Sequence, residues 1–149
     1  MTYVDITGGS PTQQKYVESM IKYCVKMLMP RMKTLEISVK FTTPKGAMGY
    51  CLKEGAREYE IELDRRLRLR PLLITVAHEM VHVKQYARRE MHDFVVDEKF
   101  HKWKDSLVPE NTNYWDLPWE IEAHGRELGL FVRWCEANKL GKLPWTQVQ

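Results

Sequence analysis

The sequence predicts a single α+β domain that contains an N-terminal helix, a small, mainly antiparallel sheet of three to four strands, and two further long helices. Three observations lead to this prediction. The chain has 149 residues, of which 44% are hydrophobic and 29% charged, as in one globular domain. Apolar residues recur at helical spacing near both ends and at the centre of the chain. Between the first two helical stretches, residues 35–63 contain segments that alternate apolar and polar side chains, as half-buried strands do.

The N-terminal helix is predicted to run from Ser10 to about Met29. Ser10 is a good N-cap, Pro11 suits the first helical position, and Pro30 ends the stretch. Its apolar side chains lie on one face, which indicates a helix that packs on the core.

Three strands are predicted at residues 35–41, 47–52 and 58–63. The last two are separated by the short segment 53–56, which contains a glycine and predicts a hairpin. A mainly antiparallel sheet is the expected result.

The central helix, predicted from Pro71 to about Glu90, carries the motif H-E-x-x-H as His78-Glu79-Met80-Val81-His82. Residues four apart lie on one face of a helix, so both imidazoles can bind one metal ion. Glu79 can then reach a water on the metal and act as its general base. The motif also occurs by chance, but this helix is apolar on nearly every side. One Zn²⁺ ion would compensate the burial of all three polar side chains.

The rest of the chain is predicted to contain a short helix across residues 95–107 and a final helix that begins at residues 116–118 and ends at about Ala137. The connection between the central and final helices, residues 91–117, is long, and long connections in compact domains are often functional.

Catalytic zinc needs a third protein ligand. The metzincin pattern is excluded because Gln85 and Arg88 stand where that pattern requires glycine and histidine. Glu122 is predicted as the third ligand, because Gly125 and Gly129 lie on the same helical stripe and would let the final helix approach the motif helix closely.

Other assignments remain open for this site. Glu122 could instead form an i,i+4 salt bridge with Arg126. Glu120 lies about 200° away on the helix and is expected to face solvent or to pair with His124 at i+4. His92 and His101 are reserve ligands.

An H-E-x-x-H helix followed by a glutamate on a later helix resembles the gluzincin arrangement, and the step Glu122-Ala123 resembles the last helix of ImmA/IrrE-type peptidases. The length and order of elements are similar to small zincin-like metallopeptidase domains, including phage-encoded and SprT-like ones. SprT-like domains have a histidine ligand where Val96 stands here, which favours Glu122. The resemblance implies a minimal zincin-like fold over residues 1–149, with the third ligand on the C-terminal helix.

The expected function is hydrolysis of peptide bonds by a zinc-activated water, with Glu79 as general base and a protein or peptide as substrate. Tyr114, His124 and Arg126 are candidates for stabilising the transition state. One alternative is an inactive zinc-binding protein with a structural or interaction role. Another is a nucleic-acid-associated, SprT-like protease, suggested by the four arginines among residues 65–70 but not favoured because no nucleic-acid motif accompanies them.

The sequence contains no recognisable secretory signal and no apolar run long enough to span a membrane. Its three cysteines are scattered and are expected to be small core residues, and its net charge of +3 is mild. These features predict a cytoplasmic protein without a membrane partner, located in the host cytoplasm if it is phage-encoded. They do not indicate its oligomeric state.

Overall fold

The computed structural model describes residues 1–96 and 99–147. Within them the chain forms helices and two separate sheets, which confirms the α+β class. The helices are α1 (Pro11–Leu28), α2 (Leu69–Ala87) and α3 (Pro118–Ala137). The first sheet contains β1 (Thr2–Thr7), β2 (Leu35–Thr42), β3 (Gly49–Gly55) and β4 (Glu58–Asp64). The second contains β5 (Met91–Val96), β6 (Phe100–Trp103) and β7 (Ser106–Pro109). Two 3-10 turns lie at Tyr114–Asp116 and Pro144–Thr146.

No helix in the described part of the chain is both long and apolar enough to cross a membrane.

Helices α1 and α3 begin where the sequence predicts, and α2 begins at Leu69, two residues before the predicted Pro71. A capping box starts α1: Gln13 N–H donates to Ser10 Oγ, and Ser10 N–H donates to Gln13 Oε1. Pro118 occupies the first turn of α3, as Pro11 does in α1. The central helix α2 ends at Ala87, three residues before the predicted end.

The first sheet is mixed, with the strand order β1-β2-β4-β3. The hairpin of β3 and β4 is antiparallel, as predicted, but β1 and β4 both pair with β2 in parallel. The prediction of a mainly antiparallel sheet is therefore wrong. It missed β1, and α1 is the crossover that a parallel β1–β2 pair requires.

One face of this sheet forms the core. Along β2 and β4 alternate side chains are buried, while the intervening glutamates and Lys40 lie on the other face. The buried side chains are Leu35, Ile37, Val39, Phe41, Tyr59, Ile61 and Leu63, and they share one hydrophobic cluster with α1, α2 and α3. Cys24 in α1 and Cys135 in α3 belong to this cluster, as expected of small core residues.

The second sheet replaces the helix predicted across residues 95–107, so that prediction is wrong. Strands β5, β6 and β7 pair in antiparallel order, and residues 97 and 98 of the predicted helix lie outside the described residues. The apolar residues of this segment have the spacing of a helix. The chain turns at Lys104, however, which has a φ of 51° in the two-residue turn that joins β6 to β7. A left-handed φ is incompatible with a continuous helix.

The two long helices α2 and α3 do not meet through the predicted glycine stripe. Gly125 and Gly129 are exposed, and a Cβ atom at either position would have open space around it. Instead Ala123, Phe131 and Trp134 on α3 are buried in the common core. The prediction that these glycines permit a close approach to the motif helix is wrong.

A different glycine does permit a close approach. A Cβ on Gly49 of β3 would lie 2.8 Å from Thr75 Cγ2 and 2.9 Å from the carbonyl oxygen of Glu62. The same Cβ would be 3.6 Å from Glu79 Cγ. Gly49 therefore lets the edge strand β3 lie directly against α2 beside the H-E-x-x-H motif.

We expect Gly125→Ala and Gly129→Ala each to raise the free energy of unfolding by up to about 1 kcal/mol, because alanine is the better helix former and its methyl group meets open space. Urea unfolding followed by circular dichroism measures the change. The matched control is Gly49→Ala, which should lower the free energy of unfolding because its methyl group collides with Thr75 and with the backbone at Glu62. A loss of stability in Gly125→Ala would contradict the packing described above.

Candidate metal centre

The two histidines of the motif converge on one point. His78 and His82 lie one turn apart on α2, and their Nε2 atoms are 3.2 Å from each other. His78 is half-buried and His82 is buried. The two imidazoles therefore lie on the same face of α2, as predicted.

The carboxylate that joins them is Glu120. Its Oε1 lies 3.1 Å from His78 Nε2, and its Oε2 lies 3.3 Å from His82 Nε2. The expectation that Glu120 faces solvent is wrong, because the rotation of α3 turns this residue toward α2.

Glu122 points away from the histidines. Its Oε2 lies 2.7 Å from Lys84 Nζ, and its Oε1 accepts a hydrogen bond from Gln85 Nε2 at 2.9 Å. The prediction that its carboxylate reaches the histidines is wrong. Since Glu120 and Glu122 are about 200° apart on the helix, only one of them can face a given point on α2.

Beyond Glu120, the same stripe of α3 brings two more polar side chains to the histidines. Glu127 Oε2 lies 3.3 Å from His78 Nδ1, and Glu127 Oε1 lies 2.9 Å from His124 Nδ1. The rings of His78 and His124 are 4.5 Å apart between centroids. Glu120, His124 and Glu127 thus follow i, i+4 and i+7 spacing on one face.

Tyr114, in the 3-10 turn before α3, closes this cluster. Its hydroxyl donates to Glu120 Oε1 at 3.0 Å and lies 2.9 Å from His124 Nε2. Of the three predicted transition-state stabilisers, Tyr114 and His124 are therefore next to the motif. Arg126 is exposed and lines neither of the cavities at the motif.

The reserve ligands are placed elsewhere. Within the described residues, neither His92 nor His101 belongs to a group of converging metal-ligating side chains, whereas the motif residues do. The ring of His101 on β6 packs edge-on against Trp119, with 5.9 Å between centroids.

Glu79 is buried beside the histidines, with only 4% of its surface exposed. Its Oε1 lies 4.0 Å from His78 Nε2, and its Oε2 has no hydrogen-bond partner in the described part of the chain. Burial raises the pKa of Glu79, although the two histidines oppose that shift. Buried carboxylate oxygens normally have a hydrogen-bond partner, so this oxygen can accept a proton or a hydrogen bond from a group that enters the cleft.

The cluster carries an excess of negative charge that requires a cation or protons. Burial lowers the pKa of His78, but the hydrogen bonds to Glu120 and Glu127 outweigh it and raise the pKa to about 10. Burial likewise raises the pKa of Glu120, but the bonds from both histidines hold that pKa below its usual range. Glu79, Glu120 and Glu127 all lie near His78, so either protons on the histidines or a bound cation can balance their charge.

The ligand atoms at this point are close enough together to hold one metal ion. Two ligands at 2.0–2.2 Å from a tetrahedral metal are about 3.3–3.6 Å apart. The separations among His78 Nε2, His82 Nε2 and the Glu120 oxygens are 3.1–3.3 Å. Two imidazoles and a carboxylate are also the donors that zinc accepts in catalytic sites.

Two cavities meet at these side chains. The larger, of about 740 Å³, is bordered by the segment before β3 and by Trp115, and the smaller, of about 280 Å³, extends toward Tyr86 and Trp119. Both are lined by His78 and Glu79. The motif therefore lies on the floor of a cleft that is open to solvent.

Comparison with known proteins identifies no relatives: no family model, curated protein or solved structure matches the chain significantly. The function must therefore be inferred from the side chains and their geometry.

Sequence reasoning missed the roles of Glu120, Glu127 and Gln85. One signal for the first two was present, since Glu120, His124 and Glu127 form a stripe of metal-ligating residue types on the final helix. For Gln85 the sequence carries no comparable signal, because its partners come from α3.

Proposed function

We propose that this protein is a zinc-dependent metallopeptidase of the zincin-like, gluzincin type, in which His78, His82 and Glu120 hold the metal. The observation that carries the proposal is the convergence of their ligand atoms within 3.1–3.3 Å, next to the buried carboxylate of Glu79. Two histidines from one helix and a glutamate from a later helix follow the ligand order of the gluzincins, which the sequence resembles. The third ligand is Glu120, two residues before the one expected from sequence.

Zinc, when bound, supplies a Lewis acid that makes a water molecule nucleophilic at neutral pH. With the metal bound, Glu79 would act as the general base, taking up a proton at Oε2 and returning it to the leaving amine. Its burial favours this role, because burial raises the pKa of the Glu79 carboxyl and so makes the carboxylate a stronger base.

We assign Tyr114 and His124 as the donors to the oxyanion that forms at the substrate carbonyl. Tyr114 lines both cavities, and His124 lines the larger one. Since the Tyr114 hydroxyl donates to Glu120, it must exchange that acceptor for the oxyanion during the reaction.

The substrate class is an extended polypeptide. Strand β3 lies at the edge of the sheet and borders the cleft, with Gly49 in contact with the motif helix. An edge strand offers unpaired backbone groups to an added strand, which would lay a peptide bond across the motif. Exposed apolar side chains at Met48, Tyr50 and Trp115 provide contacts for its side chains.

Glu79→Gln should abolish hydrolysis of denatured casein and keep stoichiometric zinc, because the amide preserves the shape of the side chain and removes the base. Cleavage is followed by gel electrophoresis and zinc by atomic emission. Glu62→Gln is the control, since this glutamate lies on the solvent face of β4. If Glu79→Gln cleaves casein as fast as the wild type does, the general-base assignment is refuted.

Metal content distinguishes the two glutamates of α3. After dialysis against a weak chelator, Glu120→Ala should lose its zinc because one of three protein ligands is gone, whereas Glu122→Ala should retain it. Zinc loss from Glu122→Ala with retention by Glu120→Ala would reverse the ligand assignment. Stoichiometric zinc in the wild type without cleavage of any unfolded protein would instead support a binding role and overturn the peptidase proposal.

A further inference from the structure

Gln85 connects the second motif histidine to the final helix. It lies three residues after His82 on α2 and has no exposed surface. Its Oε1 is 2.7 Å from His82 Nδ1. Its Nε2 donates to the backbone oxygen of Trp119 at 2.9 Å and to Glu122 Oε1 at 2.9 Å.

These contacts fix the orientation of the Gln85 amide. The backbone oxygen of Trp119 and the carboxylate of Glu122 can only accept hydrogen bonds, so the nitrogen of the amide must face them. The amide oxygen then faces His82, and His82 Nδ1 must be the donor. With the proton on Nδ1, neutral His82 has its lone pair on Nε2, the atom beside Glu120 and His78.

Glu122 is itself held in place by a buried cation. Lys84 is 5% exposed, and its Nζ lies 2.7 Å from Glu122 Oε2 and 2.7 Å from Glu90 Oε1. A buried ammonium with two carboxylate partners is costly to disrupt, since removing either partner leaves charge uncompensated. The chain Lys84, Glu122, Gln85 and His82 therefore runs without interruption from the junction of α2 and β5 to the metal centre.

We propose that Gln85 is a positioning residue that sets the tautomer and ring orientation of His82, and that Glu122, anchored by Lys84, sets the orientation of Gln85. The inference rests on the proposed function for the identity of the metal. The tautomer, however, is a property of this chain alone and can be measured without metal.

The decisive variant is Gln85→Leu, which removes the acceptor and keeps the side chain close in size. In zinc-free protein that also carries Glu120→Ala, so that no carboxylate accepts a proton from Nε2, two-dimensional ¹H–¹⁵N spectra recorded at a pH where the imidazole is neutral should show His82 protonated at Nδ1 when Gln85 is present. That preference should be lost in Gln85→Leu. Zinc affinity, measured by competition with a chromophoric chelator, should fall by about 10–100-fold, as for other residues that orient a metal ligand. In Glu122→Ala it should fall less, because Trp119 still accepts from the amide.

Two controls separate positioning from a general loss of stability. Gln85→Glu keeps an acceptor opposite His82 Nδ1, so it should preserve the tautomer even though its carboxylate is close to that of Glu122. Trp134→Phe removes a hydrogen bond to Ser19 Oγ in the core and should leave both the tautomer and the zinc affinity unchanged. If Gln85→Leu does not fold, Gln85→Met, which also lacks an acceptor, takes its place.

An unchanged His82 tautomer, together with a zinc affinity within about twofold of the wild type in Gln85→Leu, would overturn the positioning role. A wild type that takes up no zinc would refute the proposed function instead. The tautomer measurement would still decide on Gln85 in that case.

Discussion

The packing of α3 against α2 is the constraint on which the site depends. It places Glu120 and Glu127 within 3.3 Å of ring nitrogens of His78, next to a buried glutamate in the motif itself. Three carboxylates gathered around one half-buried imidazole repel one another, so the arrangement is stable only with protons or a cation among them. The same packing buries apolar side chains of both helices in the common core, and this burial supplies the favourable free energy that holds the charged groups together.

Glu120 and Glu122, two residues apart on α3, contact different groups of side chains on α2. Glu120 meets the histidines, and Glu122 meets Lys84 and Gln85. Each carboxylate is therefore compensated by different partners, although only one of the two groups of partners consists of metal-ligating side chains. A buried polar network such as the second one destabilises the fold unless all its groups have hydrogen-bond partners. The uncharged amide of Gln85 meets this condition, because its oxygen faces a histidine and its nitrogen faces a carboxylate.

Much of the fold could be predicted because local signals were strong. Ser10 and Pro11 fixed the start of α1, and the alternation of apolar and polar residues predicted β2 and the hairpin of β3 and β4. The parallel pairing of β1 and β4 with β2 could not be read in the same way, because strand alternation gives the buried face and not the neighbour. Residues 100–109 show the converse error, since an apolar spacing of three to four residues also occurs where short strands and tight turns follow one another.

The sequence by itself determined which side chains lie together on α2, because the spacing of His78, Glu79 and His82 within one helix is a local property of the chain. Only the tertiary structure decided their partners on α3. A helix presents every residue at some angle, and its rotation against a neighbour depends on which side chains the whole core buries, here Ala123 and Phe131 rather than a stripe of glycines. That rotation placed Glu120 at the histidines and Glu122 behind them, and no pattern within α3 alone fixes it.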